Sequence, residues 1–255
     1  GVKTLPFFFK SQNLDKLKRY KNKTQVIFAA NVFCHIKDLI DVIKCVDNLL
    51  TKDGYFIFEE PYLGSMLEKT SYDQIYDEHF YMFSANSIIS ILERLNLQLV
   101  KAERIPTHGG SMRYYVKKTK SSKISKQLQN ILNYEKNIKI SKVQTIRKFA
   151  KNCLKSKNRI LNTINKIRKK GKDIYGYGAT SKSTTILHFC KVKNNSIKGI
   201  FDNTPTKIGK YFPAKKIKII GDNAFSLYNK IINVALKQIV SFTLELETKG
   251  AFLNK

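Results

Sequence analysis

Residues 24–61 read TQVIFAANVFCHIKDLIDVIKCVDNLLTKDGYFIFEEP, and this stretch decides the fold. Thr24–Ala30 is a short apolar, strand-like run that stops at Asn31. From Asp38 to Leu50, the apolar residues Leu39, Ile40, Ile43, Val46, Leu49 and Leu50 recur at the spacing of a helix with one buried face. Lys52-Asp53-Gly54 is a turn, and Tyr55–Phe58 is a second strand closed by Glu59-Glu60-Pro61. Working outward, Lys3–Phe9 is expected to be a further short strand. Ser84 is placed to cap a helix carrying Ile88, Ile91, Leu92 and Leu95. Leu97–Arg104 and Met112–Lys118 read as two strands around the turn His108-Gly109-Gly110. Strand, helix, strand, helix, strand pair is the order of the second half of a doubly wound α/β domain.

Past this unit the composition changes. Residues 117–172 hold nineteen Lys/Arg against one acid, Glu135. Ile124, Leu128, Ile131, Val143, Ile146, Phe149, Leu161, Ile164 and Ile167 keep a helical period, so two long basic helices linking domains are expected. A new α/β unit then begins. Ile174-Tyr175-Gly176 runs into Tyr177-Gly178-Ala179 and a helix bearing Lys182. A strand follows at Ile197–Phe201, ending at Asp202, with another near Ile217–Ile220. Strand, glycine turn, helix, strand ending in an acid is a Rossmann-like opening.

At 255 residues and 42% hydrophobic, the chain has room for one large domain or two of ordinary size. The formal net charge of +28 invites a nucleic-acid reading. Lys far outnumbers Arg, however, and Lys, Asn and Ile are abundant throughout, as codon bias in an AT-rich genome produces. Nucleic acid is therefore not the favoured partner, while an anionic ligand or polymer stays compatible with the charge. Cys34, Cys45, Cys153 and Cys190 never form CxxC, so spacing offers no metal site and no disulfide framework. No apolar run reaches the ~18 residues of a membrane span. Gly1-Val2-Lys3 shows neither an initiator Met nor a signal-peptide pattern. A cytoplasmic, monomeric fragment of a longer chain is the expectation.

The densest chemistry is in Gln74-Ile75-Tyr76-Asp77-Glu78-His79-Phe80-Tyr81. An imidazole titrates near ~6.5 and suits a general base at neutral pH. His79 is assigned as that base, Glu78 as its orienter or a ligand for a substrate hydroxyl, and Tyr76 as a hydrogen-bond donor to a developing oxyanion. If the segment is helical, Tyr76 and His79 share a face; a histidine capping the next helix is the structural alternative. Asn31 and His35 lie just beyond a strand's carboxyl end, where ligands bind in open α/β sheets. His35 is equally well explained as a helix-start cap. Arg113, across the glycine turn from His108, suits a diphosphate or a structural ion pair. Gly176 and Gly178 permit close backbone approach, and with Lys182, Asp202 and Lys207 they make an anion or nucleotide site plausible, although tight strand–helix packing explains the glycines alone. His188 is taken as structural.

Six motifs, in order, resemble the S-adenosylmethionine (SAM)-dependent C-methyltransferases that act on nucleotide-linked deoxysugars. They are Asn31-Val32-Phe33-Cys34-His35-Ile36, Glu60-Pro61-Tyr62-Leu63, Tyr76-Asp77-Glu78-His79, His108-Gly109-Gly110-Ser111-Met112-Arg113, the segment Gly176 to Lys182, and the segment Asp202 to Pro213. The resemblance implies a partial class I, Rossmann-like methyltransferase domain at 1–120, a basic helical connector at 121–170 and a second Rossmann-like domain at 171–255. It further implies SAM as cofactor, with Asn31 and His35 at its methionine part. Tyr62, His108, Arg113, Gly176, Gly178, Lys182, Asp202 and Lys207 are implied for the substrate. Zinc would belong only to a cysteine-rich N-terminal module that this sequence lacks, as it lacks the glycine loop and the ribose-binding acid. The implied reaction transfers a methyl group to a carbon, C3 of a 4-keto-deoxysugar, through an enolate. A non-catalytic sugar-nucleotide-binding fragment, a decayed pseudoenzyme and a polyanion-binding protein are the alternatives. After Ile219 the sequence departs from the family, and Ile239–Glu247 is only a loose match.

Overall fold

The computed structural model describes residues 3–93, 95–119 and 122–221. The chain forms two compact units: Gly1–Ser65 with Asp77–Lys142, and Met66–Tyr76 with Val143–Lys255.

In the first unit, β1 (Thr24–Ala30) leads through α1 (Leu39–Leu49) to β2 (Leu50–Pro61). Helix α2 (Leu63–Lys69) starts here, its residues from Met66 on being counted with the second unit, and then come α3 (Ala85–Leu92), β3 (Gln98–Ile105), β4 (Ser111–Lys117) and α4 (Lys126–Asn137). The sheet order is β1-β2-β4-β3. β1 and β2 are parallel, and β4 lies antiparallel between β2 and β3. Side chains alternate across a strand, so Phe56, Phe58 and Glu60 all point into the buried face of β2. Phe33, Phe58, Tyr114, Ile43, Ile88 and Leu128 anchor the core there. The opposite face exposes Val26, Phe28 and Tyr55.

The expected helix starts are capped. The Asp38 side chain accepts from Asp41 N–H at 3.0 Å. Ser84 and Ser87 bond reciprocally as a capping box on α3. Glu135, the acid that stands alone in the basic stretch, is fully buried. It accepts from Tyr62 Oη (3.0 Å), Ala85 N (2.7 Å), Asn86 N (3.0 Å) and Asn86 Nδ2 (2.6 Å). A carboxylate from α4 thus satisfies the free N–H groups at the start of α3 and complements its dipole.

The second unit holds α5 (Val143–Lys169), β5 (Tyr175–Tyr177), α6 (Ser181–Phe189), β6 (Gly199–Asp202) and β7 (Lys218–Gly221). Its three strands are parallel in the order β5-β6-β7. Every residue of β6 is buried, as a central parallel strand requires.

Four expectations change. Lys3–Phe9 forms no strand, and a 3-10 helix at Ser11–Tyr20 follows it. Apolar residues alone do not make a strand without a ladder partner, and Phe8 stays 80% exposed. The basic connector at 121–170 is not a separate element: α4 seats Leu128 and Ile131 in the first core, whereas α5 belongs to the second unit. Residues 66–76 also join the second unit, so the boundaries expected at 120 and 170 do not match the packing. On α5 the buried face is Phe149, Cys153, Ser156, Ile160 and Ile164, while Val143 and Ile146 are exposed. The polar Ser156 on that face has a partner, Tyr72 Oη at 3.5 Å from its Oγ. The segment Ile239–Glu247 lies outside the described residues. Among those described, no helix is long and apolar enough to cross a membrane.

Candidate active site

The carboxyl ends of β1 and β2 build the first site. Asn31 takes a left-handed conformation (φ 52°) and donates its N–H to the Glu59 carbonyl at 2.8 Å. Asn tolerates that region better than most residues, so the chain can turn sharply off β1. Glu60 then captures the turn: its Oε1 accepts from Val32 N–H (3.0 Å) and Phe33 N–H (2.5 Å). Burial pushes the Glu60 carboxyl above its usual range, opposed by the Cys34 group and the N–H groups beside it. Burial and the neighbouring Glu60 carboxylate push the Cys34 thiol well above the ordinary thiol range.

The turn Phe33–His35 meets the segment after Asp77. His35 Nδ1 lies 2.8 Å from the Glu78 carbonyl. Phe80 N–H donates to the Cys34 carbonyl at 2.9 Å, and Tyr81 Oη donates to the Lys37 carbonyl at 2.7 Å. These bonds set the His79 ring edge-on against the His35 ring, with centroids 4.9 Å apart. The proposed base and one proposed cofactor residue, 44 positions apart in sequence, are therefore neighbours. Glu78 reaches His35 through its main chain. Tyr76 falls in the second unit, and the Tyr76–His79 stretch is turn and coil, so the helical face expected to join them does not exist.

Two substrate expectations change. Tyr62 is 1% exposed and spends its hydroxyl on Glu135, which makes it a core residue. Arg113 pairs with Glu59, directly across the β2–β4 ladder, through Nε and Nη2 at 2.5 Å each. The structural ion pair is the arrangement present. His108 sits in the β3–β4 turn with φ 54° beside Gly109 and Gly110, both at positive φ.

In the second unit, Gly178 (φ 90°) follows β5 and donates its N–H to the Phe201 carbonyl at 2.7 Å. Asp202 closes this turn: Oδ2 accepts from Ala179 N–H (2.7 Å) and Oδ1 from Thr204 N–H (2.8 Å). Lys207 Nζ donates to the Ala179 carbonyl at 2.8 Å and lies 3.8 Å from Asp202 Oδ2. Gly178, Asp202 and Lys207 are thus brought together, and Gly176 lies on β5 opposite Ile200. Lys182 faces a group the sequence reading missed: Asp73, buried, whose carboxyl burial raises and the Lys182 charge lowers. Burial also acts upward on Asp202, but hydrogen bonds from Thr204 and Ala179 and the Lys207 charge outweigh it, leaving its pKa below the usual carboxylate value.

A depressed folded-state pKa stabilises the fold above the unfolded value of ~3.9 and loses that contribution as pH falls below it. Asp202→Asn should therefore cost about 1–3 kcal/mol at neutral pH. The cost should shrink on acidification; urea unfolding at pH 7 and pH 3 checks it, and an equal loss at both would contradict the charge assignment.

Glu60 and Cys34 escaped the sequence reading. The alternation Phe56, Phe58, Glu60 is the signal that an acid points inward. Surface hollows among the described residues lie on α5, around Lys155 and Arg159, and on the open sheet face at Tyr55 and Tyr115. Neither contains the acid–base residues.

Residues 4–102 match the family described as a methyltransferase domain, and residues 106–230 the C-methyltransferase C-terminal domain. C-methyltransferase NovU of Streptomyces niveus is 28% identical over 220 residues, which is 86% of this chain. The chain spans about half of that relative's length, 52%. Among solved structures, a putative type 11 methyltransferase from Sulfolobus solfataricus is 18% identical, with 46% of this chain and 71% of that one covered and a TM-score of 0.31. A SAM-dependent methyltransferase from Aquifex aeolicus is 12% identical, with 41% and 59% covered and a TM-score of 0.29. Superpositions this loose add nothing to the topology already described.

Proposed function

We propose, from the similarity of residues 4–102 to the methyltransferase domain, of residues 106–230 to the C-methyltransferase C-terminal domain and of the chain to NovU, that it serves methyl transfer from SAM to a carbon, C3, of a nucleotide-linked 4-keto-deoxysugar. The observation that carries the reading is the His35–His79 pair, held at 4.9 Å beyond the carboxyl ends of two parallel strands. In open α/β sheets that is where ligands sit.

The residues there suit SAM's amino-acid part: Asn31 stands in a fixed left-handed turn and His35 is exposed with Nδ1 engaged. Asn31 and His35 would hold that part. When bound, SAM supplies an electrophilic methyl group. A carbon nucleophile must be made for it, and His79 does this by taking the C3 proton that the adjacent carbonyl acidifies. Tyr76 is assigned to donate a hydrogen bond to the oxygen as charge develops there, and Glu78 to a substrate hydroxyl. Considered alone, the second unit offers the Gly178 turn and Lys207 to an anionic group such as a nucleotide phosphate. That feature also favours a second reading, in which the chain binds a sugar nucleotide without chemistry.

The test needs no methyl donor. A dTDP-linked 4-keto-deoxysugar incubated with the chain in D2O should take up deuterium at C3 faster than with buffer alone, read by mass spectrometry. Binding by calorimetry with no catalysed exchange would replace the enzyme reading with the binding one.

A further inference from the structure

We propose that Cys34, His35 and His79 form a three-ligand site for a soft divalent cation of the zinc class, with the fourth position open. Cys34 Sγ and one ring nitrogen from each histidine lie within 4.8 Å of one another. Ligand atoms around one tetrahedral Zn2+, at about 2.3 Å for sulfur and 2.0 Å for nitrogen, stand roughly 3.5 Å apart. Closing the site therefore takes movements of about 1 Å, and side chains able to make them are present. His35 is exposed and His79 half-buried, while Cys34 is the buried, fixed point.

The local bonding prepares these ligands. A carbonyl oxygen only accepts, so His35 Nδ1, 2.8 Å from the Glu78 carbonyl, carries the proton and Nε2 keeps the lone pair. A histidine anchored through one nitrogen by a carbonyl and open at the other is the usual metal-ligand arrangement. The bond from Phe80 N–H to the Cys34 carbonyl ties the residue after His79 to the thiol-bearing turn, which limits how far the ligands can separate. One thiolate and two imidazoles select Zn2+, Co2+ or copper over Mg2+ or Ca2+.

On binding, the Cys34 S–H bond breaks, a sulfur–metal bond forms and the proton leaves to water; no electron is transferred. The cation takes a lone pair of His79, so occupancy and proton abstraction by His79 exclude one another. That consequence rests on the proposed function, whereas the binding itself does not.

The test titrates the reduced, metal-free chain with Co2+. One equivalent should bind saturably, giving a thiolate-to-cobalt charge-transfer band in the near ultraviolet and the visible absorption of tetrahedral cobalt, both displaced by Zn2+. Cys34→Ser should remove the charge-transfer band, which separates Cys34 from Cys45, Cys153 and Cys190. His35→Gln, at an exposed position, should keep the fold and weaken Co2+ binding about tenfold or more. Absence of saturable binding, an unchanged band in Cys34→Ser, or unchanged affinity in His35→Gln overturns the proposal. If Cys34→Ser does not fold, His35→Gln decides. No step reads methyl transfer or proton exchange, so failure here leaves the proposed activity to its own test.

Discussion

His79→Ala should slow C3 proton exchange by about 100-fold to 10,000-fold, the usual contribution of a positioned general base. KM should change little, because the proposed role of the imidazole is in the transition state rather than in holding the sugar. The fold should survive, since His79 lies in an irregular segment whose anchors are main-chain groups: the Glu78 carbonyl and the Phe80 N–H. His35→Asn is the useful companion. It removes a ring that packs against His79, so it should lower the exchange rate less than His79→Ala and should weaken SAM binding as well. Exchange by His79→Ala at the wild-type rate would end the base assignment.

The second large effect is on stability. Glu135→Ala should destabilise the first unit by about 3–5 kcal/mol, the range for breaking a buried charged network. Four donors lose their acceptor at once: Tyr62 Oη, Ala85 N, Asn86 N and Asn86 Nδ2. All four are donors, which an acceptor-only carboxylate satisfies. Tyr62 suffers most, because its phenol is 1% exposed. Asn86→Ala removes a single side-chain bond and should cost about 1 kcal/mol. Urea unfolding followed by tyrosine fluorescence measures both. Glu135→Ala costing no more than Asn86→Ala would mean that water enters and replaces the carboxylate.

Most of the fold is legible in residues 24–61 and their continuation. The apolar periods of 2 and 3.6 are local properties of the chain, and they give β1, α1, β2 and α3 in order. The Ser84 cap and the β3–β4 turn at His108–Gly110 are equally local. Periodicity was less reliable for Lys3–Phe9, where a strand needs a partner, and for α5, where the neighbours choose which stripe is buried.

The candidate site divides along the same line. Residue chemistry alone marks His79 as a base of suitable type and Gly178 as a position that permits close backbone approach. It cannot say that Glu60 holds the turn beyond β1, that Tyr62 serves Glu135, or that Arg113 serves Glu59. Nor does spacing bring Cys34 and His35 to His79. These are contacts between segments 28 to 73 residues apart, fixed by which strand ends lie side by side. The sequence determines elements and reactive groups because helix, strand and turn preferences act over a few residues. Only the tertiary structure decides which carboxylate is a clamp, which arginine is already paired and which two histidines meet, because burial and partnership exist only once distant segments pack.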